Sequence, residues 1–374
     1  MVQFSYFHLM PHPYLERTPR WPVPHKLFDP VRASEDYQHY LDQMALAEEL
    51  GFDWVGCNEH HYTPYGLMSN PALIGAALTQ RTKRIRLAML GALLPLNNPV
   101  RVAEEYAMLD VMSGGRLVAG LIRGIPNEYI AYGVDPNESW ERFEEAFDLV
   151  IRAWTEPEPF GWEGKYYRFR TVSIWPRPLQ QPHPPLIMSG GSIESAAFAA
   201  RKRVMIGVVQ LTSLEQAREC FDVYRQTARE LGWEPPRSYL LVGMHTHVAR
   251  TDAEARETLG RAEDYFYGVL SSASQHANEL VVQGSRYYST PVARERRIAH
   301  RAAHRELTID DRIERGTVLC GSPDTVIRQI ERVVRELGVG IIQTGFKIGT
   351  IPNEKVVESM RLFGREVIPY VRDL

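Results

Sequence analysis

A (β/α)8 barrel is the α/β fold class predicted by this 374-residue sequence. Three observations carry the prediction. Eight short β-rich runs recur from one end of the chain to the other. Several of them are apolar without alternation, as strands covered on both faces are. Helix-period stretches lie between them, and sustained strand–helix alternation favours a parallel sheet, for which eight is the number that closes a barrel.

The first run, QFSYFHL (3 to 9), precedes a helical stripe of Tyr37, Tyr40, Leu41, Met44 and Ala45, stopped at EELG. The second, WVGCNE (54 to 59), leads into NEHHYTPYGLMSNP, which sets an acid, two histidines and two tyrosines between a strand and a helix. The third, IRLAMLGALL (85 to 94), contains Leu90 and Gly91 and is followed by Asn97 and Asn98; the fourth, RLVAGLI (116 to 122), ends at Arg123. The fifth, PLIMS (185 to 189), runs into SGGSIES, and the sixth, VMIGVVQ (204 to 210), precedes a stripe of Leu214, Ala217, Phe221, Tyr224, Ala228 and Leu231 ended by Gly232. The seventh, YLLVGMHTHV (239 to 248), carries His245 and His247. A last stripe, Val326, Ile330, Val333, Val334 and Leu337, stops at Gly338 before the eighth run, VGIIQTGF (339 to 346).

Two segments break this rhythm, as insertions after strands 4 and 7. Residues 157 to 184, rich in Pro and aromatics, predict an excursion with a short hairpin. Residues 273 to 315 carry the basic run RERRIAHRAAHR and are read either as a solvated helix or as a mobile lid over the site. The whole chain, 1 to 374, is read as one domain.

Chemistry in such a barrel belongs to the carboxyl end of the strands. Glu59, His60 and His61 follow the second strand directly, and because successive strand residues alternate, one histidine is expected at the barrel mouth and the other at its wall. His8, Arg123 and Lys347 end other strands. Gly190, Gly191 and Ser192 open a helix, so free N–H groups and a positive helix end converge there, a pattern that suits a phosphate or is an ordinary capped turn. Arg123 would add a charged contact at the neighbouring strand end.

The sequence has no G-x-G-x-x-G after a strand, no G-x-x-x-x-G-K with Ser or Thr, and no H-E-x-x-H. A built-in nicotinamide-binding domain is therefore not expected. His245 and His247 form an H-x-H pair of the kind metal-dependent hydrolases use, but the eighth strand supplies no acid, and a pocket-lining or structural role is the alternative. A net charge of -3 with mixed signs argues against a nucleic-acid partner. Cys57, Cys220 and Cys320 are few, odd in number and far apart, and no long apolar run occurs, so a cytoplasmic protein without a membrane anchor is expected.

The order of these pieces resembles bacterial luciferase and the luciferase-like flavin monooxygenases. The segments that carry it are GFDWVGCNEHHYTPYGLMSNP, NNPVRVAEEYAMLDVMSGGRLVAGLIRG, GSPDTVIRQIERVVRELGVGIIQTGF and the closing ESMRLFGREVIPYV. The similarity is collinear over nearly the whole chain, and weakest over 10 to 34, 157 to 184 and 273 to 315. The resemblance implies a TIM barrel that takes reduced FMN (FMNH2) from a separate NAD(P)H:flavin reductase. With O2 as co-substrate it would oxygenate a small apolar organic substrate through a flavin peroxide.

The resemblance assigns proton handling to His60, places a non-proline cis peptide between Leu90 and Gly91 beneath the flavin, and puts the phosphate against Arg123 and the turn of Gly190, Gly191 and Ser192. It also implies a homodimer packed through about 71 to 82 and 99 to 113. The chain departs from the pattern at Ile122, where luciferase has a reactive cysteine, and at Trp140, where it has a second phosphate arginine that Arg142 is placed to replace. Gly190 and Gly191 stand where luciferase has an acid and a serine. Tyr6, His8, Trp21, Tyr62, Tyr65, Met68, Trp175 and Met244 are candidate pocket residues, and the substrate stays open among aldehydes, ketones, aromatic and alicyclic compounds. A deazaflavin-dependent oxidoreductase of the same fold is the alternative, followed by a metal-dependent hydrolase and a flavin-binding protein without catalysis.

Overall fold

Eight parallel strands close into a barrel in a computed structural model that describes residues 1–17, 21–285 and 306–374. In chain order they are β1 (Gln3–Phe7), β2 (Trp54–Cys57), β3 (Arg86–Leu93), β4 (Leu117–Ile122), β7 (Leu186–Ser189), β8 (Met205–Val208), β9 (Leu240–Val248) and β11 (Ile341–Gly345). Each pairs with the next, and β11 pairs back onto β1. Two strands lie outside the ring before β7, β5 (Phe160–Glu163) and β6 (Arg168–Val172), the antiparallel hairpin expected within 157 to 184.

A strand the sequence reading did not include, β10 (Val318–Gly321), joins the sheet outside the closed ring of eight and pairs with the second half of β9. Its four residues, VLCG, directly precede a helix, and a run that short carries no usable period.

Helix starts follow from local chemistry. The helices Pro30–Glu49, Pro71–Arg81 and Pro99–Ser113 each begin with proline after a capping residue, Asp29, Asn70 and Asn98, whose side-chain oxygen accepts from the first free backbone N–H groups. Asn98 is therefore a cap and not a site residue, while Asn97 donates to Glu59 Oε1 at 3.2 Å and to Leu93 O at 3.0 Å. The stripe at the sixth helix holds except at its end. The helix Leu214–Glu230 stops before Leu231, which is 47% exposed.

Inside the barrel Trp54, Ala88, Val118, Ile187, Met205, Leu241 and Ile341 contribute one side chain from each of seven strands to a packed layer. This plug closes the lower barrel, so space for a ligand exists only above it, at the carboxyl ends. Glycines set the strand spacing there: a Cβ at Gly56 would lie 1.8 Å from Ala88 O, and one at Gly91 would lie 2.0 Å from Gly120 O.

Of the segment 273 to 315, the stretch 286 to 305 with the basic run lies outside the described residues, as does 18 to 20. No helix among the described residues is long and apolar enough to cross a membrane.

Candidate active site

A cleft opens above the apolar plug. Phe7, Leu90, Ile122, Met188 and Met244 supply apolar lining from five strand ends, and Asn58 and His60 bring polar groups into the same space.

His60 follows β2 and is held by two partners. Its Nδ1 lies 2.7 Å from Glu128 Oε1, and Asn58 Nδ2 donates to its Nε2 at 2.6 Å. A carboxylate accepts only, so the ring hydrogen sits on Nδ1 and Nε2 is the acceptor. Tyr65 closes over the ring, with its hydroxyl 3.3 Å from Nδ1 and the ring centroids 4.8 Å apart. Glu128 is fully buried, and its second oxygen accepts from Ile125 N–H at 2.9 Å. The carboxylate is thereby fixed at the first turn of the helix Pro126–Ala131, directly after β4.

The neighbouring histidine does different work. His61 Nε2 lies 2.8 Å from Glu59 Oε1, and its Nδ1 meets Tyr132 OH at 3.1 Å. Glu59 also accepts from Leu93 N–H at 3.0 Å, so this pair ties the end of β2 to the end of β3. His60 lines the cleft and His61 does not.

The peptide bond between Leu90 and Gly91 is cis, Leu90 lines the cleft, and the β3 to β4 register shifts between Met89 and Ala92. On the far side, Ser192 caps the helix Ile193–Lys202 by accepting from Ser195 N–H at 3.2 Å. Gly191 faces open space, whereas Gly190 N–H is already spent on Gly207 O at 2.8 Å and its Cα packs against Ile206. The guanidinium of Arg123 lies 5.2 Å over the ring of Trp140, and that ring meets Phe198 of the same helix edge-on at 5.5 Å. An aromatic pair thus joins the arginine to the helix that Gly191 and Ser192 open.

Several sequence candidates are placed elsewhere. Arg142 bonds Glu138 at 2.9 Å and lies over Tyr166 at 4.7 Å, so it is held toward the hairpin rather than standing in for an arginine at position 140. Of the eight candidate pocket residues only Met244 lines the cleft; Tyr6, Tyr65 and Met68 are buried in the core, while Trp175 is 87% exposed. Lys347 is buried and donates to Ile351 O at 2.5 Å, and burial lowers its ammonium to about 8.

His8 is likewise structural. Met10 N–H donates to its Nδ1 at 2.8 Å, Nε2 meets Gln43 Oε1 at 3.0 Å, and burial lowers the ring from 6.5 to about 3. Burial lowers His247 from 6.5 to about 4, with Lys355 adding to the effect. Both rings are folded away neutral, so the unfolded chain takes up protons that the folded chain refuses below pH 6.5. Stability from this source is complete above pH 6.5 and is lost as pH falls toward 4. The expected loss between pH 6.5 and 5 is about 2 kcal/mol per histidine. Urea melts at the two pH values should show it, and His247→Gln should remove about half of the dependence on these two rings.

His245 and His247 do not share a ligand. His245 Nδ1 lies 2.5 Å from Glu263 Oε1, His247 is buried, and among the described residues no group of three or more His, Cys, Asp or Glu is assembled as a metal would require.

Sequence reading did not find Glu128, Asn58, Glu263, Arg312 or Gln343, which line the cleft or hold its histidines. The one available signal was position just past a strand, which Glu128 satisfies in GIPNEYIA after Arg123.

Comparison with known proteins places this geometry in context. The family model described as luciferase-like monooxygenase matches residues 10–340. The alkanal monooxygenase alpha chain of Photorhabdus luminescens is 25% identical over 331 residues, covering 88% of this chain and 90% of that one. The oxygenase component of the flavin-dependent trigonelline monooxygenase of Acinetobacter baylyi is 25% identical over 247 residues, covering 65% and 68%. The crystal structure of monooxygenase RslO1 from Streptomyces bottropensis superposes with a TM-score of 0.79 at 28% identity, covering 98% of this chain and 99% of that one.

Proposed function

Because the chain belongs to the luciferase-like monooxygenase family, we propose that it is the oxygenase of a two-component system. It would use reduced FMN from a separate NAD(P)H:flavin reductase, and O2, to oxygenate a small organic substrate. The observation that carries this reading is the Glu128-held His60, with Nε2 as acceptor, at the mouth of an apolar cleft that Leu90, Ile122 and Met188 line.

The residues present fit a flavin. A flat ring needs an apolar wall to lie against, and Leu90, Ile122 and Met188 line the cleft. A phosphate tail needs N–H donors and positive charge; Gly191 and Ser192 at the helix start would give the donors, and Arg123 the charge. Gly190 would shape the turn rather than bind, since its N–H is committed.

Bound reduced FMN would supply the electrons that activate dioxygen. In this reading His60 Nε2 takes up or returns a proton at the reacting edge, and the Glu128 carboxylate holds the ring in the tautomer that leaves Nε2 free to accept. Asn58 Nδ2 now occupies that acceptor and would yield it to a ligand. The apolar lining excludes water from the reaction.

The deciding experiment supplies a flavin reductase, FMN and labelled oxygen, and screens candidate substrates by product mass spectrometry. Label in the product with FMN supports the reading. Turnover with reduced deazaflavin in the absence of oxygen, and none with FMN, would overturn it.

A homodimer is part of the proposal. Leu73 is 70% exposed on the helix Pro71–Arg81, and Met108, Val111 and Met112 are 51%, 45% and 46% exposed on the helix Pro99–Ser113. Apolar side chains gathered on adjacent helices support burial against a second copy. Met112→Glu is expected to shift sedimentation to the monomer with the fold unchanged; a monomeric parent chain would remove the idea. Three buried free cysteines support the cytoplasm as the compartment.

A further inference from the structure

Two polar side chains line the same cleft with no part in the arrangement around His60. His245, on β9, has Nδ1 2.5 Å from Glu263 Oε1. Glu263 is 2% exposed, and its second oxygen faces Arg312 Nε at 3.7 Å. Arg312 in turn lies 4.7 Å over the ring of Tyr267. An ionised carboxylate accepts but cannot donate, so the ring hydrogen of His245 is on Nδ1 and Nε2 is an acceptor. Among the described residues Nε2 has no hydrogen-bond partner. Gln343, on β11, is 6% exposed, and its amide makes no hydrogen bond among the described residues, with Oε1 fully buried.

Strand register brings the two together. Gly243 stands opposite Gln343, and His245 opposite Gly345. Alternate strand residues face the same side, so imidazole and amide share one face as diagonal neighbours, each beside a glycine. A Cβ at Gly243 would lie 3.0 Å from Gln343 Nε2, and one at Gly345 would lie 3.7 Å from His245 Cδ2. Barrel interiors are ordinarily filled by branched apolar side chains. Here Gly243 leaves room for the Gln343 amide, and the imidazole packs in ordinary contact beside Gly345.

We propose that His245 and Gln343 form a subsite that reads a hydroxyl group, phenolic or alcoholic, on the organic substrate. The substrate O–H donates to His245 Nε2, and its oxygen accepts from the Gln343 amide. A carbonyl has no hydrogen to give and leaves His245 Nε2 unmatched, whereas a hydroxyl matches both that acceptor and the Gln343 amide N–H. The substrate class is thereby narrowed to compounds that carry a hydroxyl. The inference rests on the reading of this cleft as the place where substrate meets flavin.

The test compares 4-methylphenol, which keeps its O–H at neutral pH, with 1,4-dimethylbenzene, in which a methyl of similar size replaces the hydroxyl, by calorimetric titration of the full chain with excess FMN. The phenol is expected to bind about tenfold or more tighter, the usual penalty for an unmatched buried polar atom. His245→Leu and Gln343→Met should each abolish most of that preference. Circular dichroism checks their fold, and if His245→Leu does not fold, Gln343→Met carries the test alone. Equal binding of the two probes to the parent chain, or an undiminished preference in the folded variants, overturns the proposal. FMN fluorescence quenching separates the two levels: a missing preference with intact FMN binding removes only this inference, and a parent chain that does not bind FMN removes the reading beneath it as well.

Discussion

His60→Gln is expected to keep the barrel and bind FMN while losing about two to four orders of magnitude in oxygenation, the usual contribution of a positioned acid or base. The ring lies at the cleft wall with 12% of its side chain exposed, and glutamine refills most of its volume, so the substitution leaves no large void, and Glu128 keeps its bond to Ile125 N–H. Glutamine retains hydrogen bonding but cannot cycle a proton near neutral pH. Reductase-coupled assays should show NADH consumed with little oxygenated product. Parent-level product yield from this variant would end the proton-handling role.

Glu128→Gln removes the charge and one of two acceptors. Its single amide oxygen can still accept from Nδ1–H, which turns the amide nitrogen toward Ile125 N–H and leaves that donor unmatched, and no counter-charge faces the ring when it takes up a proton. Its loss should fall between the parent chain and His60→Gln, and should appear in turnover rather than in FMN binding. Identical behaviour of Glu128→Gln and the parent chain would make the carboxylate a structural cap only.

The second large effect is expected at Gly91. A Cβ there would lie 2.0, 2.3 and 2.5 Å from the O, C and Cα atoms of Gly120. All three are backbone atoms, so the strands must separate; no side chain can move aside. Gly120 cannot yield easily, because its own Cα faces Met89 O and Leu90 across the same gap. Gly91→Ala is expected to cost about 3 kcal/mol or more, the upper range for overpacking. FMN affinity should fall in step, since the strand that moves carries Leu90 into the cleft. Thermal melts with and without FMN measure both, and an unchanged midpoint would show that β3 and β4 separate freely.

The comparison with a neutral position is informative. Gly191 has nothing within 4 Å of a built Cβ, so Gly191→Ala should leave stability nearly unchanged. Any loss of FMN affinity in that variant would then report on the phosphate turn itself rather than on the fold.

How much of the site was legible in the sequence depends on how far apart its partners lie along the chain. His60, Arg123 and Ser192 each sit at a strand end or turn, where local pattern marks them, whereas Leu90 and Gly91 lie inside β3 and were singled out by the resemblance. Glu128 is 68 residues from the histidine it holds, and Glu263 is 18 residues from His245 across a helix, so no local period joins either pair. Gln343 was hidden for another reason: in VGIIQTGF it is one of two polar residues, with Thr344, in a buried strand, and only the register with β9 sets it beside His245. Arg142 failed in the opposite sense. Its position suited a phosphate, but Glu138 one helical turn away and Tyr166 on the hairpin side hold it elsewhere.

The sequence alone determined the alternation of eight strands with amphipathic helices, because burial on both strand faces and one helix face writes its period directly into the order of apolar residues. It also determined the helix starts at Asn70–Pro71 and Asn98–Pro99, since caps act over three residues. Tertiary structure decided which histidine of the adjacent pair faces the cleft, which carboxylate fixes its tautomer, and which glycine clears space for Gln343. Those outcomes depend on barrel closure, which brings distant strand ends within hydrogen-bonding distance and assigns every side chain to the inside or the outside at once.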